Sequence, residues 1–174
     1  MLLIYPDIMA HSVCDTLIHE HATNPNKRIT LEADQSFDDR VLLLQNMTQE
    51  AGFLAASIAH EMGEVIGRHF QVPVYPETVA VVRWDAGQEM ALHQDGQRPE
   101  TANRTHSVVV YLNDQADGGE IYFPDIGTTI SPRRALMVAY EKAMLHGVRP
   151  VMHPRYTLTL WYSTDPAVSI IAFG

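Results

Sequence analysis

The chain has 174 residues, 46 % of them hydrophobic and 19 % charged, with 10 Gly and 10 Pro, which excludes a disordered chain, a collagen-like repeat and a coiled coil and is enough to bury a core. Twelve basic residues against 21 acidic ones leave a formal charge of −9, which disfavours a nucleic-acid backbone as partner and suits a neutral or basic substrate. A single cysteine, Cys14, excludes an internal disulfide and every multi-cysteine metal site.

The N-terminal run Met1 to Asp7 has no basic flank and no long apolar stretch, so no signal peptide is expected. No apolar run approaches the ~20 residues of a membrane span, and the cytoplasm is the default location. Leu2 to Tyr5 reads as a short strand. From about Asp7 to Glu20, Ile8, Val13, Cys14, Leu17 and Ile18 recur at helical spacing, and Asn24-Pro25-Asn26 breaks that helix. Ile29-Thr30-Leu31 is ambiguous between strand and loop, 32–39 reads as a loop, and Val41 to Leu44 reads as a second strand or a helix start. Residues 47–70 carry the clearest helix, with Ala51, Leu54, Ala55, Ile58, Met62, Val65, Ile66 and Phe70 on one stripe. Asn46 with Gln49 reads as a variant capping box, and Pro73 and Pro76 end the helix.

Beyond Pro76 the period changes to two. The strands read are Thr78–Trp84, Met90–His93, His106–Leu112, Glu120–Phe123, Thr128–Ile130, Arg134–Tyr140, Met144–His146 and Arg155–Tyr162. Turn residues separate several of them, and the pattern predicts a sandwich, barrel or jelly roll with the helices packed on one sheet face.

The chemistry concentrates in Ala91-Leu92-His93-Gln94-Asp95-Gly96. On a strand, His93 and Asp95 project to one face and offer one nitrogen and one oxygen ligand. Alone this pair is a weak signal, equally at home on a polar surface strand. His146, on another predicted strand, supplies a third ligand. Two His and one carboxylate leave three positions open on an octahedral metal, the arrangement of non-haem Fe(II) oxygenases; the same set suits a catalytic zinc. Arg155 then opens a strand whose period places Arg155, Thr157, Thr159 and Trp161 on one face. An Arg with two hydroxyls on an inward face is suited to a carboxylate, which a guanidinium binds bidentately; the alternative is an Arg ending a strand in solvent.

That order of residues resembles the Fe(II)/2-oxoglutarate-dependent dioxygenases, most closely their prolyl 4-hydroxylase branch. Arg83 to Asp95 is similar to the branch's RY-x-x-GQ-x-Y-x-x-H-x-D segment. Tyr111-Leu112-Asn113-Asp114, Gly118-Gly119-Glu120 and Phe123-Pro124 are similar to its YLN…GGE…FP segment. His146 to Val151, then Arg155-Tyr156 and Trp161-Tyr162, resemble its C-terminal segment. The resemblance spans residues 80–163. It implies one oxygenase domain over 1–174, mainly β with N-terminal helices, in which 1–72 is mainly helical support and 73–174 a double-stranded β-helix, or jelly roll. It implies Fe(II) on His93, Asp95 and His146, and 2-oxoglutarate on the metal with its distal carboxylate on Arg155. Tyr111 and Thr159 match positions that help hold the co-substrate; O2 is the second co-substrate and L-ascorbate an accessory. Trp84 stands where the family commonly has Tyr, and Met90 where it often has an aromatic. Both reshape the pocket, for which Trp84 and Trp161 are the candidate substrate-facing residues.

The activity so implied is hydroxylation of a prolyl residue in a peptide or protein, with decarboxylation of 2-oxoglutarate to succinate. The same chemistry on a free amino acid or another side chain, or a metal-binding jelly roll without turnover, are the alternatives. A nucleic-acid demethylase of the superfamily would show a second Arg where Trp161 stands; neither nucleic acid nor membrane is expected as partner. His60-Glu61-Met62-Gly63-Glu64 opens like a zincin HExxH but ends in Glu, and reads as a solvated helix face. His19 and His21 flank Glu20 without sharing a helical face and read as surface. His106 and His153 read as facing solvent or adjoining the site. Cys14 reads as core, and the loop around 32–40 and the segment Gln97 to Thr105 are candidate lids.

Overall fold

A computed structural model describes residues 1–30 and 40–171. Strand β1 (Leu2–Tyr5), helix α1 (His11–Thr23), strand β2 (Val41–Leu43) and helix α2 (Gln49–Phe70) come first. They are followed by β3 (Tyr75–Trp84), β4 (Met90–His93), β5 (His106–Tyr111), β6 (Ile121–Phe123), β7 (Thr128–Ile130), β8 (Met137–Glu141), β9 (His146–Val148) and β10 (Arg155–Ser163). The strands form a six-stranded sheet, β1-β8-β5-β10-β3-β2, and a four-stranded sheet, β4-β9-β6-β7, with antiparallel neighbours throughout. This is the double-stranded β-helix expected from the sequence.

Alternation along the large sheet decides what faces the helices and what faces the small sheet. Val79 and Val81 of β3, Val108 and Val110 of β5, and Leu158 and Leu160 of β10 pack with Ala55, Ile58, Met62 and Ile66 of α2 in one buried cluster. Their neighbours turn the other way: Ala80 and Val82 meet Val148, and Tyr111, Val138 and Tyr140 meet Ile121 and Phe123. Burial of each large aliphatic side chain contributes ~1.5–3 kcal/mol. A one-residue slip of β10 would bury the wrong set on both sides at once.

The first helix starts later than its apolar spacing suggests. Asp7 adopts φ 51 and Ala10 is extended, so the helix begins at His11. The long helix is capped by Thr48, whose hydroxyl accepts the Ala51 N–H at 3.4 Å. The expected Asn46–Gln49 box is not formed, because the Asn46 amide donates instead to Lys27 O at 3.1 Å. Thr48 is held in turn by the buried Glu20 carboxylate, which accepts its N–H at 2.7 Å and its hydroxyl at 3.0 Å. Val41 to Leu43 resolves as a strand paired with β3, extended by a single bridge from Val41 to Ile29. Leu31 and the loop 32–39 lie outside the described residues.

Two histidines depart from the surface reading. His106 is buried on the helix side of β5, bonded to Thr105 Oγ1 at 2.9 Å and against Phe70. His153 is exposed. His21 is fully buried, with its ring edge-on to Tyr156. Its Nε2 lies 2.8 Å from Arg40 O, which can only accept, so Nε2 carries the proton. Nδ1 is then the titrating atom, and it is buried with no hydrogen-bond partner. Burial, with Arg28 and Arg83 nearby, lowers the His21 pKa to about 4. The unfolded chain therefore binds a proton below about 6.5 that the folded chain refuses until about 4. Stability is expected to fall by about 3 kcal/mol as pH drops across that window. Urea unfolding at pH 7 and pH 4 checks this. His21→Phe should flatten the slope, and an unchanged slope would acquit His21.

Candidate active site

The site is built where the ends of both sheets converge. β4 pairs with β9 so that His93 stands opposite His146, with ring centroids 4.3 Å apart. Asp95 does not share a strand face with His93, because β4 ends at His93. It sits in the following turn, where Gly96 adopts φ 71 and the Asp95 N–H donates to Lys142 O at 3.0 Å. The turn, rather than strand alternation, delivers the carboxylate: Oδ1 lies 3.5 Å from His93 Nε2 and Oδ2 3.9 Å from His146 Nε2. One ligand atom from each of the three residues lies within 4.8 Å of the others, the one such group among the described residues.

Backbone carbonyls set both tautomers. His93 Nδ1 lies 2.9 Å from Ala91 O, and His146 Nδ1 2.9 Å from Met144 O. A carbonyl only accepts, so each Nδ1 carries the proton and each Nε2 turns a lone pair toward Asp95. Three electron-rich atoms facing one another fit a cation, and the nitrogen–oxygen set fits Fe(II). Burial pushes the His146 pKa down, against the pull of Asp95, and so favours its ligating neutral form. Burial also pushes the Asp95 carboxyl up, but His93 and His146, in their protonated forms, and the Ser107 hydroxyl outweigh it and hold the group below its ordinary value.

The same cavity is lined by Arg155, Thr157, Thr159 and Trp161 of β10, by Tyr111 of β5 and by Trp84 of β3. Arg155 is 2 % exposed. Its Nη1 donates to Gly119 O at 2.5 Å, and its guanidinium lies 4.4 Å over Trp84 and 5.6 Å from the Tyr111 ring. Gly118 and Gly119, at φ 74 and 69, make the turn that presents this carbonyl. A Cβ on Gly118 would come within 2.6 Å of Pro150 O. Arg155 makes no ion pair with an acid among the described residues, and its Nε and the Tyr111 hydroxyl are buried without hydrogen-bond partners. Burial lowers the Arg155 pKa to about 10 and raises that of Tyr111 to about 12. A buried cation without a counter-charge costs several kcal/mol, so these groups fit a carboxylate ligand.

All eight residues singled out in the sequence line this one cavity. Two others there went unnoticed, Ser107 and Tyr140. Ser107 Oγ donates to Asp95 Oδ2 at 2.5 Å, and Tyr140 Oη lies 3.0 Å from His146 Nε2. Burial, reinforced by Asp95, raises the Tyr140 pKa well above the usual phenol value and keeps it protonated. Counting back by twos from Tyr111 would have found Ser107. Trp161 borders Arg104, whose guanidinium lies 4.2 Å over its ring and donates to Glu77 at 2.7 Å. The segment 97–105 is thereby tied down at its end, and Lys142 Nζ donates to Ala102 O at 2.8 Å. His60, Glu61 and Glu64 are exposed on α2.

Residues 79–163 match the family model of the 2OG-Fe(II) oxygenase superfamily. That segment carries the triad and Arg155, and the match supports a dioxygenase using Fe(II), 2-oxoglutarate and O2. Solved structures agree in fold. A Pseudomonas putida prolyl-4-hydroxylase aligns at TM-score 0.75 and 17 % identity, over 93 % of this chain and 91 % of that one. The viral collagen prolyl hydroxylase of Paramecium Bursaria Chlorella virus-1, solved as a 2OG complex, aligns at 0.70 and 18 %, over 93 % and 94 %. A Trichoplax adhaerens prolyl hydroxylase, bound to a hypoxia inducible factor oxygen degradation domain peptide fragment, aligns at 0.72 and 17 %, over 98 % and 87 %. No curated protein sequence matches the chain. No helix among the described residues is long and apolar enough to cross a membrane.

Proposed function

We propose that His93, Asp95 and His146 hold Fe(II), that Arg155, helped by Tyr111 and Thr159, holds the distal carboxylate of 2-oxoglutarate, and that the substrate is a prolyl residue of a peptide or protein. Arg155 carries this reading: it is a buried guanidinium with no acid to pair with among the described residues, in the cavity whose wall also bears the triad. Bound together, the metal and co-substrate would let O2 hydroxylate an unactivated C–H bond, one oxygen atom entering the substrate and the other the succinate formed as 2-oxoglutarate loses CO2.

The chain's own part is placement and exclusion of water. Arg155 donates to the carboxylate from a fixed position, stacked on Trp84 and bonded to Gly119 O, so little ordering is left to the binding step. Val82, Ile121 and Val148 give the cavity apolar walls, which strengthen each polar contact inside. Trp161 offers a flat apolar surface with its Nε1–H buried and without a partner. That suits a ring flanked by a peptide carbonyl. The peptide-bound Trichoplax structure supports a peptide substrate by analogy, and ascorbate is proposed as an accessory reductant.

Anaerobic titration of the protein with Fe(II) and 2-oxoglutarate is expected to give the visible metal-to-ligand charge-transfer band. Proline-containing peptides are then expected to gain one oxygen, read by mass spectrometry, with one succinate released per hydroxylation. Hydroxylation of free amino acids and no peptide would move the assignment to that substrate. A folded, metal-loaded protein without the band would leave only metal binding.

A further inference from the structure

Two hydroxyls stand beside the triad on directly paired residues. Ser107 of β5 and Tyr140 of β8 are opposite one another in the ladder, both buried and both facing the cavity. They act in opposite directions. Ser107 Oγ donates to Asp95 Oδ2 at 2.5 Å, which engages one carboxylate oxygen and leaves Oδ1, 3.5 Å from His93 Nε2, for other work. Tyr140 Oη lies 3.0 Å from His146 Nε2. Met144 O fixes the ring proton on Nδ1, so Nε2 is the acceptor and the phenol the donor. The Tyr140 proton thus sits on the lone pair that a metal needs.

Resting on the metal reading above, we propose that this pair sets the affinity and coordination mode of the site. Ser107 is a positioning residue that keeps Asp95 bound through one oxygen, and Tyr140 is a competitor for the His146 lone pair. A carboxylate chelating through both oxygens would take a position that a His, His, Asp set otherwise leaves open. Partners of metal ligands commonly change metal affinity ten- to hundredfold. The Tyr140 bond must break as metal binds, which weakens binding by roughly two- to tenfold relative to a site without it.

Calorimetric titration with Mn(II), which needs no reductant, tests the pair. Ser107→Ala is expected to bind roughly ten- to hundredfold more weakly, and Ser107→Thr to recover most of that loss. Tyr140→Phe is expected to bind roughly two- to tenfold more tightly. The water-proton relaxivity of bound Mn(II) should drop in Ser107→Ala, as the second carboxylate oxygen displaces a water. A merely structural serine would not move that signal. Equal affinity in Ser107→Ala, or weaker binding by Tyr140→Phe, overturns the proposal. If Tyr140→Phe does not fold, the 15N resonance of His146 Nε2 in metal-free wild-type protein decides. The shift of a hydrogen-bonded acceptor supports the role of Tyr140, and that of a free acceptor overturns it. Wild-type protein that binds no Mn(II) would remove the triad reading itself. Binding lost in Asp95→Ala but unmoved in Ser107→Ala would overturn this inference alone.

Discussion

Asp95→Ala is expected to abolish succinate release and to weaken metal binding more than about a hundredfold, beyond what loss of an outer hydrogen-bond partner costs. Asp95 is the only anion of the triad, and without it two neutral imidazoles offer a divalent ion no compensating charge. The fold should survive. Asp95 lies in a turn, its backbone bond to Lys142 O remains, and the side chain removed is one that faces two imidazole lone pairs. Thermal unfolding of metal-free protein is expected to shift by no more than about 1–3 kcal/mol in stability, the cost of leaving the buried Ser107 hydroxyl without its acceptor. Turnover that survives with its iron dependence intact would remove Asp95 from the site.

Strand alternation pairs His93 with Asp95 in the sequence, yet the strand stops at His93 and Gly96 makes the turn that completes the set. H-x-D works here because a short chain separation confines both residues, whatever their backbone. The inward face of β10 was legible for a sounder reason: Arg155, Thr157, Thr159 and Trp161 alternate strictly with Leu158, Leu160 and Tyr162, and the burial of both faces follows that phase. What stayed hidden depends on contacts between distant segments. Ser107 and Tyr140 meet only through the β5–β8 register, and nothing local sets that register. Glu20 and His21 are adjacent on α1 and both buried, because one caps α2 through Thr48 and the other reaches the Arg40 carbonyl. Helical spacing within α1 says nothing of either neighbour.

Arg155→Met should separate stability from binding. Removing a buried guanidinium that has no acid to pair with among the described residues, and filling its space with an apolar chain, is expected to leave the ligand-free protein as stable or up to ~2 kcal/mol more stable. The lost bond to Gly119 O and the lost stacking on Trp84 offset part of that gain. Binding should move the other way. Truncating a buried charged partner costs ~2–5 kcal/mol, so the apparent affinity for 2-oxoglutarate should fall by roughly thirty- to several-thousandfold, while Mn(II) affinity changes little. In wild-type protein, 2-oxoglutarate with Mn(II) at about a hundred times its dissociation constant should add ~2.7 kcal/mol of stability. The variant should show almost none of it at the same concentration. A destabilised variant that still gains from 2-oxoglutarate would make Arg155 a structural residue. A stable variant blind to 2-oxoglutarate would show that the buried charge is kept at the expense of the fold for the anion it receives.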